Sequence, residues 1–94
     1  MARAVWNNTI IAESESYVVL EGNVYFPSDS VKHEYLSPNS HTSFCFWKGK
    51  AHYFDVNVSG KASIEAAWSY PSPSPAAKII KGYFAFWRGV KVER

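Results

Sequence analysis

The chain has 94 residues, of which 47% are hydrophobic, and it carries 4 Trp, 6 Tyr and 6 Phe. That length holds a single domain, 1–94, and so many aromatics exclude a disordered chain. The formal net charge is +2, from 10 Lys+Arg against 8 Asp+Glu, which is too mild to imply a nucleic-acid or membrane partner.

Short β-prone runs alternate with turn signals along the chain. Val5-Trp6 and residues 9–12 flank Asn7-Asn8, and Asn tolerates the positive φ of a tight hairpin. Residues 17–21 and 24–26 flank Gly22-Asn23. The stretch 27–36 breaks the pattern and holds one helical turn, with Ser28 or Asp29 as N-cap and Val31, Tyr35 and Leu36 facing the core. Residues 43–47 and 51–58 flank Lys48-Gly49-Lys50. In the second of these runs His52, Phe54, Val56 and Val58 share one face, opposed to Tyr53, Asp55 and Asn57. Ser59-Gly60 is the next turn. In 62–70, Ile64, Ala66, Trp68 and Tyr70 alternate with Ser63, Glu65, Ala67 and Ser69. Residues 71–75 alternate Pro and Ser as a stiff loop, and a short helix over 76–80 ends before Gly82. Finally, 83–87 and 90–92 flank Arg88-Gly89. Five hairpin signals give a mainly β fold of seven to nine strands. The expected architecture is a compact antiparallel β barrel or a tent-like two-sheet meander, with one or two short helical turns.

Cys45 is the single cysteine, so no intrachain disulfide forms, and a reducing, cytoplasmic setting is expected. No apolar leader stands at the N-terminus, and the apolar runs fall well short of the ~20 residues of a helical span. Metal sites and cofactors are not expected, because no Cys-x-x-Cys pair or Gly-rich phosphate motif occurs. Carboxylates are sparse: Asp29 and Asp55 are isolated, Glu13 and Glu15 read as a solvated edge, and Glu21 reads as a surface carboxylate before a turn.

The catalytic candidates are Cys45, Lys48 and His52. If Lys48-Gly49 is a two-residue loop, Cys45 lies opposite His52, and a thiolate beside an imidazole would be a nucleophile. With a three-residue loop Cys45 faces Tyr53, and it reads as a small buried hydrophobe. Lys48-Gly49-Lys50 is a basic turn suited either to an anion or to a soluble hairpin tip. Trp68, Tyr70, Trp47, Tyr53 and Tyr25 serve equally as pocket walls or core fillers.

Four segments together resemble one bacterial family, the domain of unknown function 427. They are Tyr25-Phe26-Pro27 within 21–27, residues 42–53 with Thr42, Cys45, Lys48, Gly49, Ala51 and Tyr53, then Ala67-Trp68-Ser69-Tyr70, then Gly82-Tyr83-Phe84-Ala85-Phe86. The family pattern reads Tyr-Phe-Pro, then Thr-x-x-Cys-Pro-aromatic-Lys-Gly-x-Ala-x-Tyr, then Ala-Trp-x-Tyr, then Gly-x-x-Ala-Phe. Phe46 departs from it, standing where the family has Pro, and this bears on the approach to the Lys48-Gly49 turn and on the aim of Cys45. Position 52 is variable in the pattern, so a Cys45–His52 pair would be peculiar to this chain. The resemblance implies a compact β barrel or tent-like fold that can hold a ligand in an aromatic-lined cleft. It marks Tyr25, Cys45, Lys48, Tyr53, Trp68 and Tyr70 as ligand-binding positions.

The expected function is binding of a small, anionic or neutral molecule in that cleft. The alternatives are a nucleotide-dependent transferase, after a label the family also carries, and a protein-interaction module. Single-stranded nucleic-acid binding is disfavoured, since the basic residues are spread along the chain. The oligomeric state is left open.

Overall fold

A computed structural model describes residues 1–94. Nine strands follow one another: β1 (Ala2–Trp6), β2 (Thr9–Ser14), β3 (Val18–Leu20), β4 (Asn23–Tyr25), β5 (Leu36–Cys45), β6 (Gly49–Val58), β7 (Lys61–Ser69), β8 (Phe84–Phe86) and β9 (Lys91–Glu93). They form three antiparallel sheets of order β2-β1-β9, β3-β4 and β5-β6-β7-β8. None closes into a barrel, so of the two expected architectures the tent-like meander is the one the chain adopts.

Turn chemistry sets the hairpins. Asn7 and Asn8 have φ of 51° and 58°, and Ser59 and Gly60 have 52° and 78°. Two consecutive positive φ values are the mark of a type I′ hairpin turn, which matches the twist of its strands. The β3–β4 turn is Glu21-Gly22, with φ of 53° and 77°, and not the expected Gly22-Asn23. Asn23 pairs with Leu20 in the ladder. Arg88-Gly89 turns the chain as expected but makes no hairpin. β8 pairs with β7, whereas β9 crosses to β1, so this turn is a corner between two sheets.

The segment after β4 forms two 3-10 turns, Ser28–Ser30 and His33–Tyr35, rather than one capped helical turn. Pro27 holds the cap position of the first and no side chain caps it. Ser28 and Asp29 lie inside the turn. Pro75–Ile80 is also 3-10, started by proline, which fixes φ and lacks the donor a helix start leaves unused.

Alternation in β6 and β7 splits the interior in two. Phe54, Val56, Val58, Ala67, Phe84 and Phe86 face the β2-β1-β9 sheet and pack with Ile11, Phe26 and Ala4. Ala51, Tyr53, Trp68 and Ala85 point to the opposite face and pack with Tyr25, Tyr70, Ala77 and Ile80. The predicted alternation of 62–70 fails at its start, where Ile64 is exposed. A bulge shifts the β6–β7 register between Phe54 and Val56, and Glu65 sits there at φ 59°. Four steps of β7, Ser63 to Ala67, face two of β6, so the bulge adds two residues and leaves Lys61 and Ser63 on the face of Ala67, with Ile64 on the uncovered side.

Candidate functional site

On that second face the side chains leave a cavity of about 210 Å³, lined by Asn23, Tyr25, Lys48, Tyr53, Trp68, Tyr70 and Trp87. Five of the six residues marked by the sequence meet here, brought from β4, β6, β7 and the two loops that follow β5 and β7. Cys45 is the sixth and does not line the cavity. It lies near enough to the Tyr25 and Tyr70 phenols to oppose their ionisation.

The aromatic walls hold one another edge to face. Tyr25 and Trp68 have ring centroids 6.2 Å apart at 88°, and Trp68 Nε1 donates to the Tyr25 hydroxyl at 3.2 Å. Trp68 and Trp87 lie 5.5 Å apart at 73°. Tyr53 completes the rim, with its hydroxyl 3.0 Å from that of Ser43. Such perpendicular packing suits the ring quadrupoles and fixes each ring's angle.

Lys48 forms the polar end. The β5–β6 loop is Phe46-Trp47-Lys48, and Cys45 pairs with Gly49 across it. Neither expected register occurs: Cys45 faces neither His52 nor Tyr53, and His52 pairs with Thr42 and Ser69. The Pro-Ser loop fixes this arrangement. Ser74 donates its N–H to the Lys48 carbonyl at 2.9 Å and its hydroxyl to the Trp47 carbonyl. Gly49 has φ of 106°, and a Cβ there would stand 3.3 Å from Ser74 N, so this close approach requires glycine.

The Lys48 side chain is therefore turned inward and the residue is 7% exposed. Its Nζ donates to Glu21, forming an ion pair with a carboxylate that is half-exposed. It also lies 5.5 Å from the ring centroids of Trp47 and Tyr70. Burial opposes the lysine charge, yet the Glu21 hydrogen bond and the neighbouring phenols hold its pKa above the ordinary value. Glu21 is held below its ordinary value by its hydrogen bond with Lys48. Burial pushes the Tyr25 and Tyr70 phenols up. Of these four groups, the only ones clearly shifted, Tyr25, Lys48 and Tyr70 line one cavity and Glu21 is paired with that lysine. Perturbed ionisable groups cluster at functional sites.

His52 lies on the other face of β6, beside Phe54 and away from Lys48. The three catalytic candidates are thus not brought together. Two wall residues, Asn23 and Trp87, and the carboxylate Glu21 escaped the sequence reading. Glu21 left one signal: glutamate is a poor choice for a left-handed turn position, which favours Gly, Asn or Asp. No group of three or more His, Cys, Asp or Glu is placed to hold a metal ion. No helix is long and apolar enough to cross a membrane.

The whole chain, residues 1–94, matches the family described as Domain of unknown function (DUF427), whose short name denotes an NTP transferase. The chain belongs to that family. A comparison with curated proteins gives no match. The family description states no function, so within this DUF427 domain the site itself has to carry the functional argument.

Proposed function

We propose that this DUF427 domain binds a small planar molecule whose anionic or hydrogen-bond-accepting end meets Lys48. The observation that carries the reading is the buried ammonium among aromatic walls. Lysine has three donors, and Glu21 takes one of them. A carbonyl or carboxylate entering the cavity accepts another while Glu21 keeps its own. The rings of Trp68, Tyr53 and Trp87 offer flat faces to a ring-shaped body. At about 210 Å³ the cavity is smaller than the roughly 300–1,000 Å³ of drug-sized sites, which favours a ligand of one or two rings.

Nucleotidyl transfer, the reaction in the family's short name, is not adopted. Such chemistry clusters carboxylates around Mg²⁺, and the carboxylates here do not gather in that way.

Thermal melts with benzoate, nicotinate, uracil and ATP with Mg²⁺ test the reading. A ligand at about 100 times its Kd adds ~2.7 kcal/mol, which raises Tm of a domain this size by roughly 10–20 °C. A planar acid or carbonyl compound is expected to raise Tm and to change tryptophan fluorescence. Trp87→Ala should lose that gain, read against the variant's own ligand-free melt, because Trp87 also packs on Trp68 and donates to the Glu65 carbonyl at 2.6 Å. Stabilisation by ATP alone, or by none of the four, would overturn it.

A further inference from the structure

The four-stranded sheet ends on one side at β5, which pairs with β6 and with no other strand. None of the backbone hydrogen bonds that tie the turns and loops reaches residues 36–46. The outer edge of β5 therefore presents a row of N–H and C=O groups to solvent, a template for another strand. We infer that this edge, over Thr42–Cys45, is a self-association surface: it pairs antiparallel with the same edge of a second copy of the chain and joins the two sheets into one.

Charge singles out this edge and this partner. Sheet edges are ordinarily guarded by charged side chains, proline, short length or a covering segment. The other edges here are guarded. β2 carries Glu13 and is covered at Ala12 by its bridge to Val31. β3 and β9 have 3 residues each, and β9 holds Lys91 and Glu93. β8 is bridged from Phe84 to Phe26. In β5, Pro38 and the register shift that follows it guard only the first half. Residues 36–47 hold no Asp, Glu, Lys or Arg. Nothing in that stretch repels a second copy, and nothing in it calls for a partner of opposite charge. Lys50 of β6 stands beside it, opposite Phe44. In the joined sheet the two copies of Lys50 lie at least three strand spacings apart, about 14 Å, beyond the ~8 Å reach of exposed charges at physiological salt.

The side chains fit the same partner. Residues 40–44 are all exposed, and Phe44 (77%) and Phe46 (90%) are the most exposed large apolar side chains of the chain. Thr42 and Phe44 project on the side of Lys50 and His52, whereas Ser43 and Cys45 lie on the side of Ala51. Antiparallel pairing of identical edges has its two-fold axis normal to the sheet, which keeps each face on its own side. Thr42 and Phe44 of both copies then share one face, and the two Lys48 cavities lie on the other. With one unguarded edge per chain the contact is isologous and closed, so it gives a dimer and not a fibre. Thr42–Cys45 is far short of the roughly 20–30 residues a side of stable complexes, so the dimer forms only as concentration rises.

Sedimentation velocity on the full chain, from about 10 µM to about 1 mM, tests this over the range of weak affinities. The wild type should pass from monomer to dimer. Thr42→Glu with Phe44→Glu sets like charges directly opposite each other whether the axis falls at Thr42, Ser43 or Phe44, and should stay monomeric. Thr42→Lys with Phe44→Lys should do the same, and an equimolar mixture of the two variants should regain the dimer. Both positions are exposed, so each variant should keep the circular dichroism of the folded protein. Hydrogen exchange then locates the contact: alternate amides within Thr42–Cys45 should slow as wild-type concentration rises. A wild type that is monomeric throughout would leave the edge to a strand of another protein and overturn the inference. So would a dimer that survives in either charged variant, protection at β2 or β9 instead of β5, a mixture that stays monomeric, or growth beyond the dimer.

Discussion

Lys48 and Glu21 depend on each other in a way that fixes both the turn and the cavity. An ammonium withdrawn from water needs a counter-charge, and removing one partner of such a pair leaves the other uncompensated. The turn keeps Glu21 at φ 53° for that purpose, although a left-handed conformation costs a non-glycine residue roughly 1–2 kcal/mol. Glu21→Gln should therefore lower the urea midpoint, and Glu21→Gln with Lys48→Met should recover much of the loss, because the stranded charge is gone. The pH profile carries the same signature. Glu21 has a lowered pKa, so its contribution is present above its unfolded value of 4.5 and is lost as pH falls through its folded value. Lys48, Tyr25 and Tyr70 have raised pKa values. Their contribution is present below the unfolded values of 10.5, 10.0 and 10.0, and is lost as pH rises through the folded ones. Urea midpoints of the wild type should fall at both ends. Glu21→Gln should flatten the acid side and shrink the alkaline loss, because Lys48 then lacks the partner that raises its pKa against burial. Superimposable profiles would show that the pair contributes nothing.

At the level of elements, Asp55 holds β6 to both of its neighbours. Its Oδ1 accepts from Asn39 Nδ2 at 2.9 Å and from the Glu65 N–H at 2.9 Å. Both partners sit in irregular stretches, the β5 register shift between Pro38 and Thr42 and the β7 bulge. One carboxylate thus takes a backbone N–H that the broken β6–β7 ladder leaves over and a side-chain amide from the irregular stretch of β5. Asp55→Ala should cost about 1–3 kcal/mol and speed hydrogen exchange at the Glu65 amide, whereas Asp55→Asn, which keeps an acceptor, should lose less. Equal melting points for all three proteins would remove Asp55 from this role. The same elements mark what a reader of the sequence can reach. Asn7-Asn8 and Ser59-Gly60 are legible because positive φ is tolerated by few residues. The Lys48 loop is not, because its register is set by Ser74, 26 positions away in sequence, packing on Gly49. The bulge at Glu65 is equally hidden, since nothing in 62–70 announces the residue that Asp55 captures.

Over the whole molecule, the aromatics of the cavity were readable as a set, and their assembly was not. Tyr25, Tyr53, Trp68 and Tyr70 carry polar tips on ring bodies, which is a chemical property of the residue. Trp87 joins them only because β8 returns beside β7 and the chain then leaves at Arg88-Gly89 for another sheet. That long-range closure ties the two interior clusters together, as both draw on β6, β7 and β8. A shared set of strands predicts a single cooperative unit. Ile80 tests this, being wholly buried in the cluster behind the cavity. Ile80→Ala should cost about 2–5 kcal/mol, a large part of the ~5–15 kcal/mol available to a small domain. In urea, tryptophan fluorescence of a Trp6→Phe background, which removes the one tryptophan packed on the other cluster, reports on Trp47, Trp68 and Trp87, and far-UV circular dichroism reports on all three sheets. The two signals should shift together to the same lower midpoint. Fluorescence melting first, with the dichroism unmoved, would mean that the cavity's cluster unfolds by itself and that only the other cluster sustains the fold.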